Sequence, residues 1–329
     1  MRPFRFERAA DPQHAIALLA DASDARYLGG GTNLVDLMRL GVETPGTLID
    51  VTRLADHDQI EETDRGGLRI GAAVRNSDLA ADGRVRERYP VLAEAVLHGA
   101  SGQLRNLATV GGNLLQRTRC AYFTDVTKSC NKRAPGTGCP ARDGRHQNHA
   151  ILGYSEHCVA THPSDMAVAL AALEATVHVH GKTGARTIPI PGFHRLPGDE
   201  PERDTMLEPG ELITAVELGP PSRQQTRQRY RKVRERRSFA FALVSVAVVL
   251  ELEDSGTVSD VRIALGGVAH APWRAARAEG ALRAESITAE RVAGAVAAEL
   301  EHARPLRENS YKIELARNLT ATTLLELAA

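Results

Sequence analysis

Net charge, membrane-length apolar runs and the common nucleotide fingerprints are all missing from this chain of 329 residues. With 41 basic and 41 acidic residues the formal charge is zero, so no global field draws nucleic acid or a membrane surface. Any partner must be recognised locally. The longest apolar stretch, Phe239 to Leu252, falls short of the roughly 18 residues a membrane span needs and reads as a buried strand. The amino terminus, Met1 to Glu7, has no apolar export region, which makes the cytoplasm the expected compartment. No Ser-His-Asp signature, H-E-x-x-H motif or G-x-x-x-x-G-K-[ST] loop occurs. Cysteine, finally, is absent from 290 of the residues.

What is present begins with ordinary globular composition, 43% apolar and 25% charged, in a chain long enough for two or three packed units. Two glycine turns stand out. Leu28-Gly29-Gly30-Gly31-Thr32-Asn33-Leu34 joins a short apolar strand to a short helix, where glycine permits close approach and positive φ and a helix start offers unpaired N–H groups to an anion. Thr109-Val110-Gly111-Gly112-Asn113 repeats the pattern, and two such loops can grip one extended dinucleotide from both sides. Neither is the usual dinucleotide fingerprint, because the third glycine of G-x-G-x-x-G falls on Leu34.

The four cysteines, Cys120, Cys130, Cys139 and Cys158, share one window of 39 residues. The segment around them is polar and has no apolar period, so a metal or covalent tie is expected to hold it. Two disulfides, a zinc ion and a four-iron four-sulfur cluster compete for these thiols. Size and composition do not suggest a disulfide scaffold. The gaps of nine, eight and eighteen residues lack the paired C-x₂₋₄-C knuckles of structural zinc, whereas cluster ligands are spaced more variably. His146, His149, His157 and His162 lie in or beside the segment as further ligands or hydrogen-bond donors, or as plain loop residues.

Along the chain, Asp11-Pro12 reads as a helix start, 25–28 and 47–51 as strands, 67–71 as a strand, 90–96 as a helix, 165–173 as a helix, and 176–180 and 211–218 as strands. Pro220-Pro221 and the polar run to Gln228 read as a linker. Three strand candidates follow at 229–233, 243–252 and 258–268, then helices at 275–282, 289–303 and 309–327. Around Lys232 the residues Arg223, Arg227, Arg229, Arg231, Arg234, Arg236 and Arg237 make a basic stretch. With only Tyr230 among them as an aromatic, it reads as a subunit contact or solvated face and not as a nucleic-acid site.

The two glycine loops, Pro163-Ser164-Asp165-Met166 and Tyr230-Arg231-Lys232-Val233, taken in this order, resemble the FAD-binding medium subunit of the molybdenum hydroxylases, the xanthine dehydrogenase and aldehyde oxidoreductase family. The cysteine segment makes the likeness greatest to the medium subunits of periplasmic aldehyde oxidoreductases, which can reach the periplasm with a partner that bears the signal. The resemblance implies an α+β fold: a two-part FAD-binding domain of the vanillyl-alcohol-oxidase-like type, then a small domain with a three-stranded antiparallel sheet and a helical bundle. Its parts would be 1–55, 56–221 with the iron-sulfur insertion at 117–160, and 222–329. It implies that Leu28, Gly29, Gly30, Gly31, Thr32, Asn33 and Leu34 hold the FAD pyrophosphate and that Thr109, Gly112 and Asn113 form the second loop. Asp165, otherwise a helix cap, would contact the cofactor, and Lys232, otherwise a solvated strand residue, would lie near the flavin ring. Cys120, Cys130, Cys139 and Cys158 would ligate a 4Fe-4S cluster. No cysteine then remains for two-iron clusters, so the resemblance also implies a heterotrimer. A large molybdenum-cofactor subunit would oxidise an aldehyde or xanthine-type substrate, a small 2Fe-2S subunit would relay electrons, and this chain would pass them to an external acceptor. The competing readings are a stand-alone FAD-dependent oxidoreductase and a zinc-stapled interaction protein.

Overall fold

The computed structural model describes residues 1–221 and 226–329 and contains three sheets. The first is parallel, in the order β1-β3-β2, from β1 (Arg5–Arg8), β2 (Ala25–Leu28) and β3 (Thr47–Asp50). Its centre, β3, is buried at every residue, as the middle of a covered parallel sheet should be. Asp11 starts the covering helix Pro12–Asp21 as expected, its carboxylate accepting from the His14 amide at 2.7 Å with Pro12 at the first helical position. Strand β1 was not legible in the sequence. All four of its residues are exposed, so no apolar alternation marks it, and backbone pairing to β3 defines it alone.

The second sheet is antiparallel, in the order β4-β5-β8-β6-β7, with β4 (Ile60–Glu62), β5 (Leu68–Gly71), β6 (Thr176–Gly181), β7 (Gly184–Pro189) and β8 (Leu212–Leu218). Helices Pro90–His98 and Asp165–Ala172 join its core through Val91, Leu92, Met166 and Leu170. The second helix is buried along its whole length, which its Met-Ala-Val-Ala-Leu-Ala-Ala run permits and a polar face would forbid.

The third sheet is antiparallel, in the order β12-β11-β10-β9, from β9 (Thr226–Val233), β10 (Val244–Leu252), β11 (Val258–Gly266) and β12 (Trp273–Arg274). The three anticipated strands form, and the two-residue β12 extends the β11 edge. Too short to carry an alternation, it leaves no sequence signal. The long apolar run of β10 has a direct cause. Val244, Val246, Val248 and Leu250 face a core shared with helices Ala276–Leu282, Ala289–Leu300 and Tyr311–Ala328, whereas Ala247 and Val249 belong to the core of the second sheet. Period-two geometry thus sends alternate residues into two different cores, each fully buried Val or Leu contributing roughly 1.5–3 kcal/mol.

The middle of the expected linker, 222–225, and with it Arg223 lie outside the described residues. Among its neighbours, exposure of Arg227, Arg229, Arg236 and Arg237 keeps part of the stretch on the surface, and four of the arginines also make intramolecular contacts. Arg227 donates to the Leu327 carbonyl, Arg229 pairs with Glu94 at 3.5 Å, Arg231 pairs with Glu326, and Arg234 donates to the His98 carbonyl at 2.9 Å. Through these four arginines the stretch ties β9 to the helices on either side.

The cysteine segment carries little regular structure beyond the turn of helix Ala121–Thr124 and the 3₁₀ turn Pro140–Arg142. It nevertheless has anchors that its polar composition concealed. The amides of Ile151 and Leu152 donate to the Val268 carbonyl, the amide of His162 donates to Ala269, and Ile151 and Leu152 enter the C-terminal core. Asn309, fully buried, donates to the carbonyls of His149 and Ala150 at 3.2 Å. A metal or covalent tie is therefore not the segment's sole support.

Candidate functional site

Both glycine loops open onto one cleft of about 290 Å³. Gly29 to Leu34 line it from one side, and Thr109, Gly111 and Gly112 from the other. The first loop follows β2 and turns at Gly31, whose φ of +74° suits glycine. At Gly30 no side chain fits: a Cβ would meet the Leu107 carbonyl oxygen at 1.8 Å. At Gly29 it would meet Thr109 Oγ1 at 2.7 Å. These two glycines are thus required by the close approach of one loop to the other.

The ligand-binding capacity lies in the backbone. Among the described residues, the N–H groups of Gly29 through Leu34 donate no hydrogen bond, while all six residues line the cleft. Such a row of unpaired donors at a helix start is suited to a phosphate or pyrophosphate. The second loop differs, because its amides are already used. Gly111 donates to Ala72 and Asn113 to the Thr109 carbonyl, and Gly112 donates to Thr109 Oγ1 at 3.2 Å. It braces the first loop and shapes the opposite wall.

Asn33 joins the cleft to the cysteine segment. Its Oδ1 accepts from the Arg117 amide at 2.8 Å, and its Nδ2 is buried at the cleft without a partner. Arg117, which the sequence did not single out, also lines the cleft. Its guanidinium pairs with Glu43 at 2.8 Å and Asp204 at 2.6 Å and lies over the Phe123 ring at 4.9 Å. Asp204 in turn pairs with buried Lys132. Burial pushes the Asp204 carboxyl up, but Lys132 and Arg117 outweigh it and hold it below the ordinary value.

Four of the anticipated cofactor residues do not line the cleft. Leu28 ends β2. Asn113 turns away, its Oδ1 accepting from Ser164 Oγ at 2.5 Å. Ser164, not Asp165, caps the helix Asp165–Ala172, its Oγ accepting from the Ala167 amide at 3.0 Å. That frees the Asp165 carboxylate, which accepts from Lys232 Nζ at 2.7 Å and from Tyr230 Oη at 2.6 Å. Lys232 is accordingly no solvated strand residue: its side chain is 1% exposed, and Nζ also donates to the His98 carbonyl at 3.1 Å. Burial, reinforced by the Asp165 charge, pushes the Tyr230 phenol far above its usual value.

The four cysteines line one small cavity together with Phe123, Lys132 and Val159. All four are free thiols. Nearby backbone amides, those of Tyr122 and Phe123 for Cys120, of Val159, Ala141 and Arg142 for Cys139, and of Ala160 for Cys158, favour the thiolates. Burial nonetheless pushes the Cys120 thiol up to about 11 and that of Cys158 to about 12. Among the described residues no three His, Cys, Asp or Glu side chains converge closely enough to hold one metal ion. Leu37 and Phe123 pack with Cys130 between this cavity and the cleft, which Leu37 also lines.

Residues 2–221 match the FAD binding domain in molybdopterin dehydrogenase, and residues 228–327 match the CO dehydrogenase flavoprotein C-terminal domain. The chain belongs to the FAD-binding medium subunits of the molybdenum hydroxylases. It is 51% identical to the aldehyde oxidoreductase FAD-binding subunit PaoB of Escherichia coli (strain K12), over 100% of this chain and 99% of that one. It is 30% identical to the carbon monoxide dehydrogenase medium chain of Hydrogenophaga pseudoflava, over 98% and 97% of the two chains. In three dimensions it matches a carbon monoxide dehydrogenase chain from that organism with a TM-score of 0.77 at 28% identity, covering 99% and 97%. Membership in this medium-subunit family makes the chain an FAD-binding one and agrees with the two structural expectations, an α+β fold and a separate sheet-plus-helices C-terminal part.

Proposed function

We propose that this medium subunit is the FAD- and 4Fe-4S-binding electron-transfer subunit of a molybdenum-dependent aldehyde oxidoreductase, working with a large molybdenum-cofactor subunit and a small 2Fe-2S subunit. One observation carries the cluster: all four free thiols line one cavity, and backbone amides near three of them, Cys120, Cys139 and Cys158, favour the thiolate form. Amide donors favour thiolate ligands over neutral thiols and have no use for a disulfide. A single zinc ion would need its ligands at about 2.3 Å from one point. A cluster in which each iron takes one sulfur tolerates a wider spread, so Cys120, Cys130, Cys139 and Cys158 fit the cluster better than zinc.

For FAD, the amides of Gly29 to Leu34 would hold the pyrophosphate, and Asn33 Nδ2 would find the partner it lacks. Thr109 and Gly112 would close the other wall, with Asn113 and Ser164 holding the second loop against the Asp165 helix. The buried Asp165–Lys232 pair would act on the flavin through position and charge and not by acid-base chemistry. When bound, the two cofactors supply electron transfer, the flavin accepting pairs and the cluster single electrons. The aldehyde assignment draws on the 51% identity to a subunit of that name.

Flavin absorbance on aldehyde addition tests the assignment. The isolated chain should stay oxidised, and the same chain mixed with its molybdenum and 2Fe-2S partners should bleach. Bleaching of the isolated chain by a small-molecule donor would favour a stand-alone flavoenzyme instead.

A further inference from the structure

The four histidines in or beside the cysteine segment have different surroundings. His146 is engaged on both ring nitrogens: Nε2 accepts from the Glu308 amide at 3.0 Å, which leaves Nδ1–H to donate to the Ala141 carbonyl at 3.3 Å. His157 faces Asp199 at 3.4 Å with its side chain about half exposed. His162 lies against the His194 ring, the centroids 4.1 Å apart and the planes tilted by 48°. His149 alone among them meets a sulfur, its Nε2 lying 3.1 Å from Cys120 Sγ.

The placement of His149 is built and not incidental. The residue is 7% exposed. Its backbone is pinned on both sides, the amide donating to the His146 carbonyl at 3.0 Å and the carbonyl accepting from Asn309 Nδ2 at 3.2 Å. Its Nδ1 is buried with no partner, so Cys120 is the one polar contact that orients the ring. A free thiol could share a proton with Nε2 in either sense. A thiolate bound to iron has no proton and can only accept, so Nε2 must then carry the hydrogen.

We propose that His149 is a positioning residue of the iron-sulfur site, its Nε2–H donating to Cys120 Sγ and stabilising the more negative, reduced state of the cluster. This rests on the cluster reading above and adds to it a residue outside the four ligands. Hydrogen bonds to ligand sulfurs offset the charge gained on reduction, so the bond raises the midpoint potential of the cluster. The Tyr122 and Phe123 amides, which favour the Cys120 thiolate, act in the same sense, but no side-chain substitution removes them.

The test compares the full chain with His149→Ala and His149→Gln, whose amide can replace Nε2–H. Iron and acid-labile sulfide are counted, and the midpoint is followed by EPR-monitored redox titration. The expected result is unchanged iron and sulfide in both variants, a midpoint shifted to lower potential in His149→Ala, and recovery towards the parent value in His149→Gln. An unshifted midpoint in His149→Ala would overturn the proposal. Should His149→Ala lose its iron, His149→Gln decides: retained iron with a parent-like midpoint supports the donor role, and loss in both variants contradicts it. Absence of iron and sulfide from the parent chain would instead remove the cluster reading itself, a separate failure.

Discussion

Asp165 and Lys232 stand 67 residues apart in the chain and meet at 2.7 Å with side chains 7% and 1% exposed. A charge pair so buried is costly to break from one side, because the survivor keeps its desolvation penalty. Asp165→Asn should therefore destabilise the fold by about 3–5 kcal/mol, and Asp165→Leu combined with Lys232→Met should recover most of that, as read by urea denaturation in a double-mutant cycle. Sequence reasoning singled out both residues, Asp165 as a cofactor contact or else the helix cap that Ser164 in fact provides, but not their pairing, because burial and contact across 67 residues leave no local trace. Buried histidines give a second expectation. Burial depresses His194 to about 4 and His270 to about 3, below the ordinary 6.5. Between these values the unfolded chain binds protons that the folded chain refuses, so this stability is complete above about pH 6.5 and falls as the pH drops. The loss should approach ~1.4 kcal/mol per pH unit for each histidine, and His194→Gln, which does not titrate, should flatten the slope of stability against pH between 6 and 4.5.

Among the elements, the first glycine loop was the most legible and the reason for its glycines the least. Their number suggested ligand approach, yet Gly29 and Gly30 are fixed by contact with Thr109 and the Leu107 carbonyl, in a loop 80 residues away. Gly30→Ala should force the two loops apart, costing about 1–3 kcal/mol and sharply lowering bound flavin on purification. Gly83→Ala, where a Cβ would meet nothing within 4 Å, should leave the flavin content unchanged. The longer strands and the C-terminal helices could be read from their periodicity, β10 above all, because its two faces feed two cores. Strands β1 and β12 could not, the one being wholly exposed and the other two residues long. The cysteine segment was legible as a cluster of ligand-type residues and illegible as a fold. Its anchors, Ile151 and Leu152, are two apolar residues in a polar stretch, and their partner Val268, like the Asn309 that holds the neighbouring His149 and Ala150 carbonyls, lies more than a hundred positions on.

For the whole molecule, the order of motifs carried more information than any single motif, and family membership bears that order out from end to end. The glycine-loop cleft and the cysteine cavity share a wall, where Leu37 and Phe123 pack and where Arg117 reaches Asp204 and, through it, Lys132. Cofactor content at the two sites should therefore be linked. Cys130→Ser, which removes one cavity thiol, should lower iron to near zero and also weaken FAD binding, measurable by fluorescence titration of flavin. No helix among the described residues is long and apolar enough to cross a membrane. The central claim, one chain holding both a flavin and an iron-sulfur cluster, is tested most directly by iron and acid-labile sulfide per chain on anaerobically purified protein, read with its visible spectrum. About four irons, four sulfides and one flavin per chain are expected. A flavin band with zinc and no sulfide, or with no metal at all, would contradict the account.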